Sequence, residues 1–554
     1  MRRCDPNGLK IEIAMDGDRD GTINVDSAND NHYLFWVNND VDVISDGEED
    51  DNESGTANCN DDVITCKRDL EDFARLHIKV DNKIATLSGI TYFLKFESIT
   101  SGSPVVNVFK AVDTSSDYLS DSTVAGQQIQ EQNLTPNGVG MAEVPLDAQC
   151  IKTGNEVSPF IIEGRHEGKG DLTLILKKGG TEICRKAVRL ELNTMDWFYD
   201  IFKTSVTSGS TTDVNVDDTA TPEQTAEYPA QTGEYLLFVH GWNMEEWEKQ
   251  RWTETIFKRL WWQGYKGKVG LFSWPTLYGF SGTLYQLLFE SRHFDNSEFR
   301  SWLSSDSLEG VFDELNTSGQ LRVLAHSMGN VVNGEAIRKY NGTLHTYIAS
   351  QAALSAHCYD SAVSVAVNQT IDVPWWPFDP DAPITTPNLY GHYHSGTQEA
   401  DPYLNANQNN VGNMVNYYNQ NDWALFRWEL NNVLKPDGLT PYLYGYAGRA
   451  DQYEEGVDRF SRGPIENPTE ILSVDDERQK YQIFSYCSES RVKALGQVTL
   501  GGGFSTWNLA TSSLQYNDEH YSHSREFRSN IADEWDYWSS VMQDCDFTST
   551  IPQQ

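Results

Sequence analysis

From residue 233 onwards, short apolar runs alternate with amphipathic stretches. YLLFVH, KVGLFS, LRVLA, TYIAS, MVNYY and YQIFS are too short for helices and too continuously apolar for half-exposed strands, which is the pattern of a parallel sheet buried on both faces. Between the first two, EEWEKQRWTETIFKRLWWQ repeats Trp252, Ile256 and Leu260 every four residues, the spacing of one buried helix face. Residues 233–554 are therefore predicted to form an α/β unit, a mostly parallel sheet covered by helices.

Upstream the period changes. TYFLKFESI, VVNVFKAV, LTLILKK and CRKAVRLEL read as strands separated by Gly, Ser, Thr and Asn turns, and Gly179-Gly180 joins the last two as a hairpin. This predicts a small β-sandwich-like accessory domain over 81–200. The stretch 201–232, rich in Thr, Ser, Asp and Pro without apolar periodicity, reads as a linker. A chain of 554 residues accommodates this division, because single domains usually span about 100–200 residues.

Residues 1–80 form an acidic segment with its extreme at Asp46 to Glu53. Within it MDGDRDGTI sets Asp16, Asp18 and Asp20 at alternate positions before Gly21, as in a tight loop that turns carboxylates towards one hard cation. Asp16, Asp18, Asp20 and Thr22 are the candidate ligands and Ca2+ the candidate ion, in a structural role. The twelfth loop position is Ser27 where an EF-hand has Glu, so a DxDxDG loop outside a helix pair is expected.

The net charge of -39 would repel phosphate backbones, which argues against a nucleic-acid partner. No run of about 18 apolar residues occurs, so no transmembrane segment is expected. The opening MRRCDPNGLK lacks the apolar centre of a signal peptide, which implies a cytoplasmic chain or one whose leader has been removed. The acidic surface, the calcium-like loop and the accessory β region lean towards secretion or the cell surface. The eight cysteines show no zinc spacing; Cys59 and Cys66 could close a small disulfide or stay as thiols.

The sharpest chemical signal is LRVLAHSMGN, an apolar strand that enters Ala325-His326-Ser327-Met328-Gly329 and continues into the helical VVNGEAIRKY. A strand–elbow–helix turn projects the Ser327 hydroxyl and requires small residues two positions before and after it; Ala325 and Gly329 meet that requirement. Ala325 stands where a glycine is usual. A serine nucleophile needs a histidine base and a carboxylate to orient it, in the chain order Ser, acid, His. The acid should follow the strand two after the elbow, which selects Asp422 after MVNYY, with Asp360 as the alternative one strand earlier. The base should follow the last strand, which leaves His520 and His523, and His523 is preferred because HSREF opens a helical segment. For the oxyanion the backbone amide of Met328 and that of Trp242, in the His240-Gly241-Trp242-Asn243 loop, are the expected donors, with His240 orienting the loop.

FVHGWN, LFSWP and LAHSMGN, in this order and spacing, resemble the bacterial serine esterase and lipase branch of the α/β-hydrolase superfamily over residues 233–554. The resemblance implies a serine hydrolase acting on carboxylic esters, with small-molecule, lipid or polymer substrates all open and no catalytic cofactor. An amidase or thioesterase with the same triad is the alternative, as is a catalytically inactive hydrolase fold used for binding. The segment 358–412 contains VPWWPFDPDAP, whose Trp375, Trp376 and Phe378 read either as a lid or substrate wall or as a rigid packing loop.

Overall fold

In a computed structural model the described residues are 10–24 without 18, 33–38, 42–43, 49–50, 70–128, 133–209 without 155, 214–277, 297–354, 356, 359, 409–425 without 421 and 423, 494–500, 505–509, and 523–549 without 530. YQIFS, Asp360, His520, Cys59, Cys66, Trp375, Trp376 and Phe378 lie outside them.

Seven strands make the first sheet: β1 (Ile11–Ala14), β2 (Tyr33–Trp36), β3 (Phe73–Val80), β4 (Ile90–Lys110), β5 (Val144–Leu146), β6 (Val157–Lys178) and β7 (Thr181–Asn193). The short strands expected for a sandwich are in fact continuous. Strands β4 and β6 are 21 and 22 residues long and pair antiparallel along their lengths, with register shifts between Glu97 and Val106. The first half of β6 pairs with β3 and the second half with β7, so one sheet, bent across irregular register, takes the place of two separate ones. The Gly179-Gly180 turn joins β6 to β7 as predicted, both glycines having positive φ (57° and 82°).

The second sheet runs β9-β8-β11-β10-β12-β13-β14-β15, where β8 is Tyr199–Lys203, β9 Thr221–Gln224, β10 Tyr235–Val239, β11 Lys268–Ser273, β12 Leu321–His326, β13 Leu344–Ser350, β14 Val411–Tyr418 and β15 Ser505–Asn508. All neighbours are parallel except the edge strand β9. The five central apolar runs that lie in the described region are strands, as expected. The expected linker is corrected: part of 201–232 belongs to the sheet, through β9 and the end of β8. An edge strand is held by backbone pairing on one side and can be polar, so apolar patterning does not report it. Asp200 of β8 is buried, accepting from the Tyr235 hydroxyl at 2.7 Å and the Ala226 amide at 2.7 Å.

Helices cover both faces. Leu237 and Val239 of β10 face the cluster formed with α2 (Ser305–Leu315) and α3 (Gly329–Lys339). Leu236 and Phe238 face the cluster formed with α1 (Glu246–Trp262) and the C-terminal helix (Ile531–Asp544). That second cluster extends without a break into the accessory sheet. Trp36 of β2 is fully buried against Phe257 and Trp261 of α1, and its indole N–H donates to Asp72 at 2.6 Å. Two ion pairs seal the junction, Lys258–Asp72 at 2.7 Å and Arg259–Glu71 at 3.2 Å, and all four side chains are at most 2% exposed.

Candidate active site

Ser327 occupies the turn between β12 and α3 with φ of 52°, the left-handed region, where a residue with a Cβ is strained. The turn is fixed from both sides: the Ser327 amide donates to the Ser350 carbonyl at 3.1 Å, and Asn330 Nδ2 donates to the carbonyls of Ala325 at 3.0 Å and Ser327 at 2.9 Å. Close packing explains the small residues that flank it. A Cβ at Gly329 would stand 2.4 Å from the Val239 carbonyl oxygen, and one at Gly241 would stand 3.1 Å from the Ser327 Cβ. The HGWN loop therefore passes directly beside the serine.

His523 closes the arrangement. Its Nε2 is 2.8 Å from Ser327 Oγ and its Nδ1 is 2.6 Å from Asp422 Oδ2. A carboxylate accepts only, so Nδ1 carries the proton and Nε2 presents its lone pair to the serine hydroxyl. Asp422 is fully buried after β14, and its Oδ1 accepts from the Leu425 amide at 2.9 Å. His523 follows β15 and precedes the short helix Arg525–Arg528. The edge strand that precedes His523 is thus Ser505–Asn508, later in the chain than YQIFS. The structure brings Ser327, Asp422 and His523 together in one hydrogen-bonded chain.

His240 is fully buried and stacks on Trp274, with ring centroids 5.1 Å apart and planes at 1°. Its Nε2 accepts from the Trp274 amide at 3.1 Å, which leaves the proton on Nδ1, donating to the Gly241 carbonyl at 2.8 Å. Burial holds its pKa well below the ordinary range, so the ring is neutral. Its contacts are those of a loop anchor for Gly241 and Trp242. Met328 is buried at the start of α3.

Three polar residues beside His523 have no part in the constellation expected from the sequence, although His326 stands inside the Ser327 motif. His326 Nε2 is 2.6 Å from the His523 carbonyl oxygen, and Gln351 Nε2 donates to the same oxygen at 3.0 Å. Glu526 is fully buried under them, and burial raises its pKa to about 8. In the acidic N-terminal loop, the Asp16 carboxylate accepts from the amides of Asp20 at 3.1 Å and Gly21 at 2.9 Å, and Asp20 accepts from the Thr22 amide at 2.7 Å. Asp18 lies outside the described residues, among which no three His, Cys, Asp or Glu side chains gather as metal ligands.

No protein-family model matches the chain, and neither does any curated protein. Among solved structures it is similar to a puromycin-hydrolyzing peptidase of Mycobacterium tuberculosis, with 11% identity, 66% of this chain and 50% of that one covered, and a TM-score of 0.21. It is also similar to the acylaminoacyl peptidase of Pyrococcus horikoshii, with 11% identity, 72% and 53% covered, and a TM-score of 0.23. The alignments thus span about half the length of each structure. TM-scores of this size decide neither fold family nor chemistry, which rest on the geometry above.

Proposed function

We propose that the chain is a serine hydrolase of the α/β-hydrolase type that cleaves carboxylic esters through an acyl-enzyme. The observation that carries this reading is the continuous chain Asp422–His523–Ser327, with the serine on a strained turn between a parallel strand and a helix. Ser327 Oγ attacks the ester carbonyl as its proton passes to His523 Nε2. Asp422 holds the ring in the tautomer this needs and stabilises the imidazolium. Collapse of the tetrahedral intermediate expels the alcohol, which takes the proton from His523. Water then repeats the sequence on the acyl-serine and releases the acid. The amides of Met328 and Trp242 are the proposed oxyanion donors, since they flank the serine from the helix start and the HGWN loop. Ester preference follows the resemblance of the three motifs, and an inactive fold would have no use for a serine held in strain beside an aligned base.

Structural Ca2+ at Asp16, Asp18, Asp20 and Thr22 is a further proposal, carried by the DxDxDG spacing. Secretion or surface display is another, and the disulfide at Cys184 supports an oxidising compartment.

The test of the central reading is hydrolysis of a short-chain and a long-chain chromogenic ester by the parent and by Ser327→Ala, beside labelling with a fluorophosphonate. The parent is expected to turn over at least one ester and to be labelled. Ser327→Ala is expected to lose at least about a thousandfold in kcat and to escape labelling. A folded parent that neither hydrolyses nor labels overturns the proposal.

A further inference from the structure

The main chain of His523 itself is held at its carbonyl oxygen, which two side chains reach. His326 Nε2 meets it at 2.6 Å and Gln351 Nε2 at 3.0 Å. Both partners come from the strands that place the other two members of the triad. His326 ends β12, directly before the nucleophile. Gln351 follows β13 with φ of 43°, and its amide donates at 2.8 Å to the Tyr417 carbonyl of β14, the strand that leads to Asp422. Beneath them the Glu526 carboxyl lies 3.1 and 3.2 Å from Gln351 Nε2 and accepts from Ser350 Oγ at 3.1 Å. Ser350 Oγ in turn is 3.0 Å from the Tyr537 hydroxyl. All five side chains are buried. A buried polar network must be satisfied throughout to avoid a net cost, and apolar packing would fill this space with less desolvation. What the network does that apolar packing cannot is hold one backbone oxygen.

We propose that His326, Gln351 and Glu526 are positioning residues that hold the main chain of His523, so that its ring spans Ser327 and Asp422. This rests on the serine-hydrolase reading. His326 suits the task in its neutral form. Its Nε2 faces an acceptor and so bears the proton, while its buried Nδ1 has no hydrogen-bond partner among the described residues. A second proton would leave a buried N–H unpaired and place a cation next to His523, whose ring centroid is 4.8 Å away. Burial, followed by the nearby His523, drives the His326 pKa well below its ordinary range. No standing charge there opposes the imidazolium that forms on His523.

Glu526 is faced by Ser350 at the end of β13 and Gln351 after it, by His326 of β12, by Glu534 and Tyr537 of the C-terminal helix, and by Arg259 of α1, which donates to the Glu526 main-chain carbonyl at 2.6 Å; Glu534 is tied to Arg525 at 2.7 Å. At neutral pH it is an uncharged acid. Above about pH 8 it ionises, and the anion draws the Gln351 amide away from the His523 carbonyl.

The experiment measures ester hydrolysis and the rate of fluorophosphonate labelling for the parent, Gln351→Leu, His326→Leu, His326→Gln and Glu526→Gln, with near-ultraviolet circular dichroism for each. Both leucine variants are expected to lower kcat and the labelling rate about 10- to 100-fold with KM little changed, the scale on which small misplacements act. His326→Gln keeps an N–H near the Nε2 position and should recover most of the loss. The parent is expected to lose kcat/KM above about pH 8, and Glu526→Gln to remove that decline. Folded leucine variants that label at the parent's rate overturn the inference while leaving the nucleophile intact. Should they not fold, His326→Gln and Glu526→Gln decide it, since an alkaline limb unmoved in Glu526→Gln overturns the inference equally. An unlabelled parent overturns the underlying reading instead.

Discussion

At Ser327 a left-handed backbone conformation costs a serine about 1–3 kcal/mol, and the surrounding structure must over-determine it. Gly329 is where that constraint is tightest, because a methyl group there would meet the backbone oxygens of Val239 at 2.4 Å and His240 at 2.6 Å. Neither can retreat as the end of a flexible side chain could. Gly329→Ala is therefore expected to destabilise the fold by at least about 1–3 kcal/mol, the usual scale of core overpacking, and to lower kcat by displacing the serine; denaturant melts and ester kinetics would register both. A variant with parental stability and turnover would contradict this account of the elbow. Ser327 was legible because the demand it places on its neighbours is local, two residues to either side. Asp422 and His523 were legible at one remove, from where the strands end. Gln351 and Glu526 were invisible to such reasoning: Gln351 meets the His523 carbonyl across 172 positions of sequence, and no motif encodes that pairing.

Among the elements, helix α1 carries the most demanding packing. Its Trp252, Ile256 and Leu260 are buried as their four-residue spacing predicts, yet the helix also buries Lys258 and Arg259, which periodicity would place in solvent. They are buried because the short turn Leu70–Asp72, which leads into β3 of the accessory sheet, covers that face with Glu71 and Asp72. Arg259→Ala leaves the Glu71 carboxylate buried without its partner and should cost about 3–5 kcal/mol in denaturant unfolding, whereas Glu71→Met combined with Arg259→Met should recover the part due to that carboxylate, though not the part due to the Glu526 and Ser529 carbonyls that Arg259 also serves. Equal losses from the single and double variants would refute the pairing argument. The strands show the complementary lesson. The central ones, buried on both faces, announce themselves as apolar runs, while Thr221–Gln224 and Ser505–Asn508 at the two edges are held by backbone pairing that composition does not report. The folding of β4 and β6 across the accessory region was likewise hidden, since a register shift leaves the alternation of each half intact.

At the scale of the whole molecule, the accessory sheet and the α/β unit share one hydrophobic cluster running from Ile11 to Phe547. The acidic loop takes part in this union. Arg19 lies over the Trp261 ring at 3.5 Å and donates to the carbonyls of Trp261 at 2.7 Å and Tyr265 at 2.6 Å, closing the end of α1. An ion that orders residues 16–22 would therefore stiffen the junction, so the melting temperature should rise with calcium and fall with chelator; coincident curves would dispose of the calcium proposal. Arg259 extends the junction towards the chemistry: besides Glu71 it donates to the carbonyl of Glu526 at 2.6 Å and to that of Ser529, within a few residues of His523. On the proposed serine-hydrolase reading, the support of His523 thus reaches back into the first eighty residues. Exchanging the amino-terminal part for an unrelated one, as is possible with a tethered module, would on that reading also require new support for the segment that carries His523.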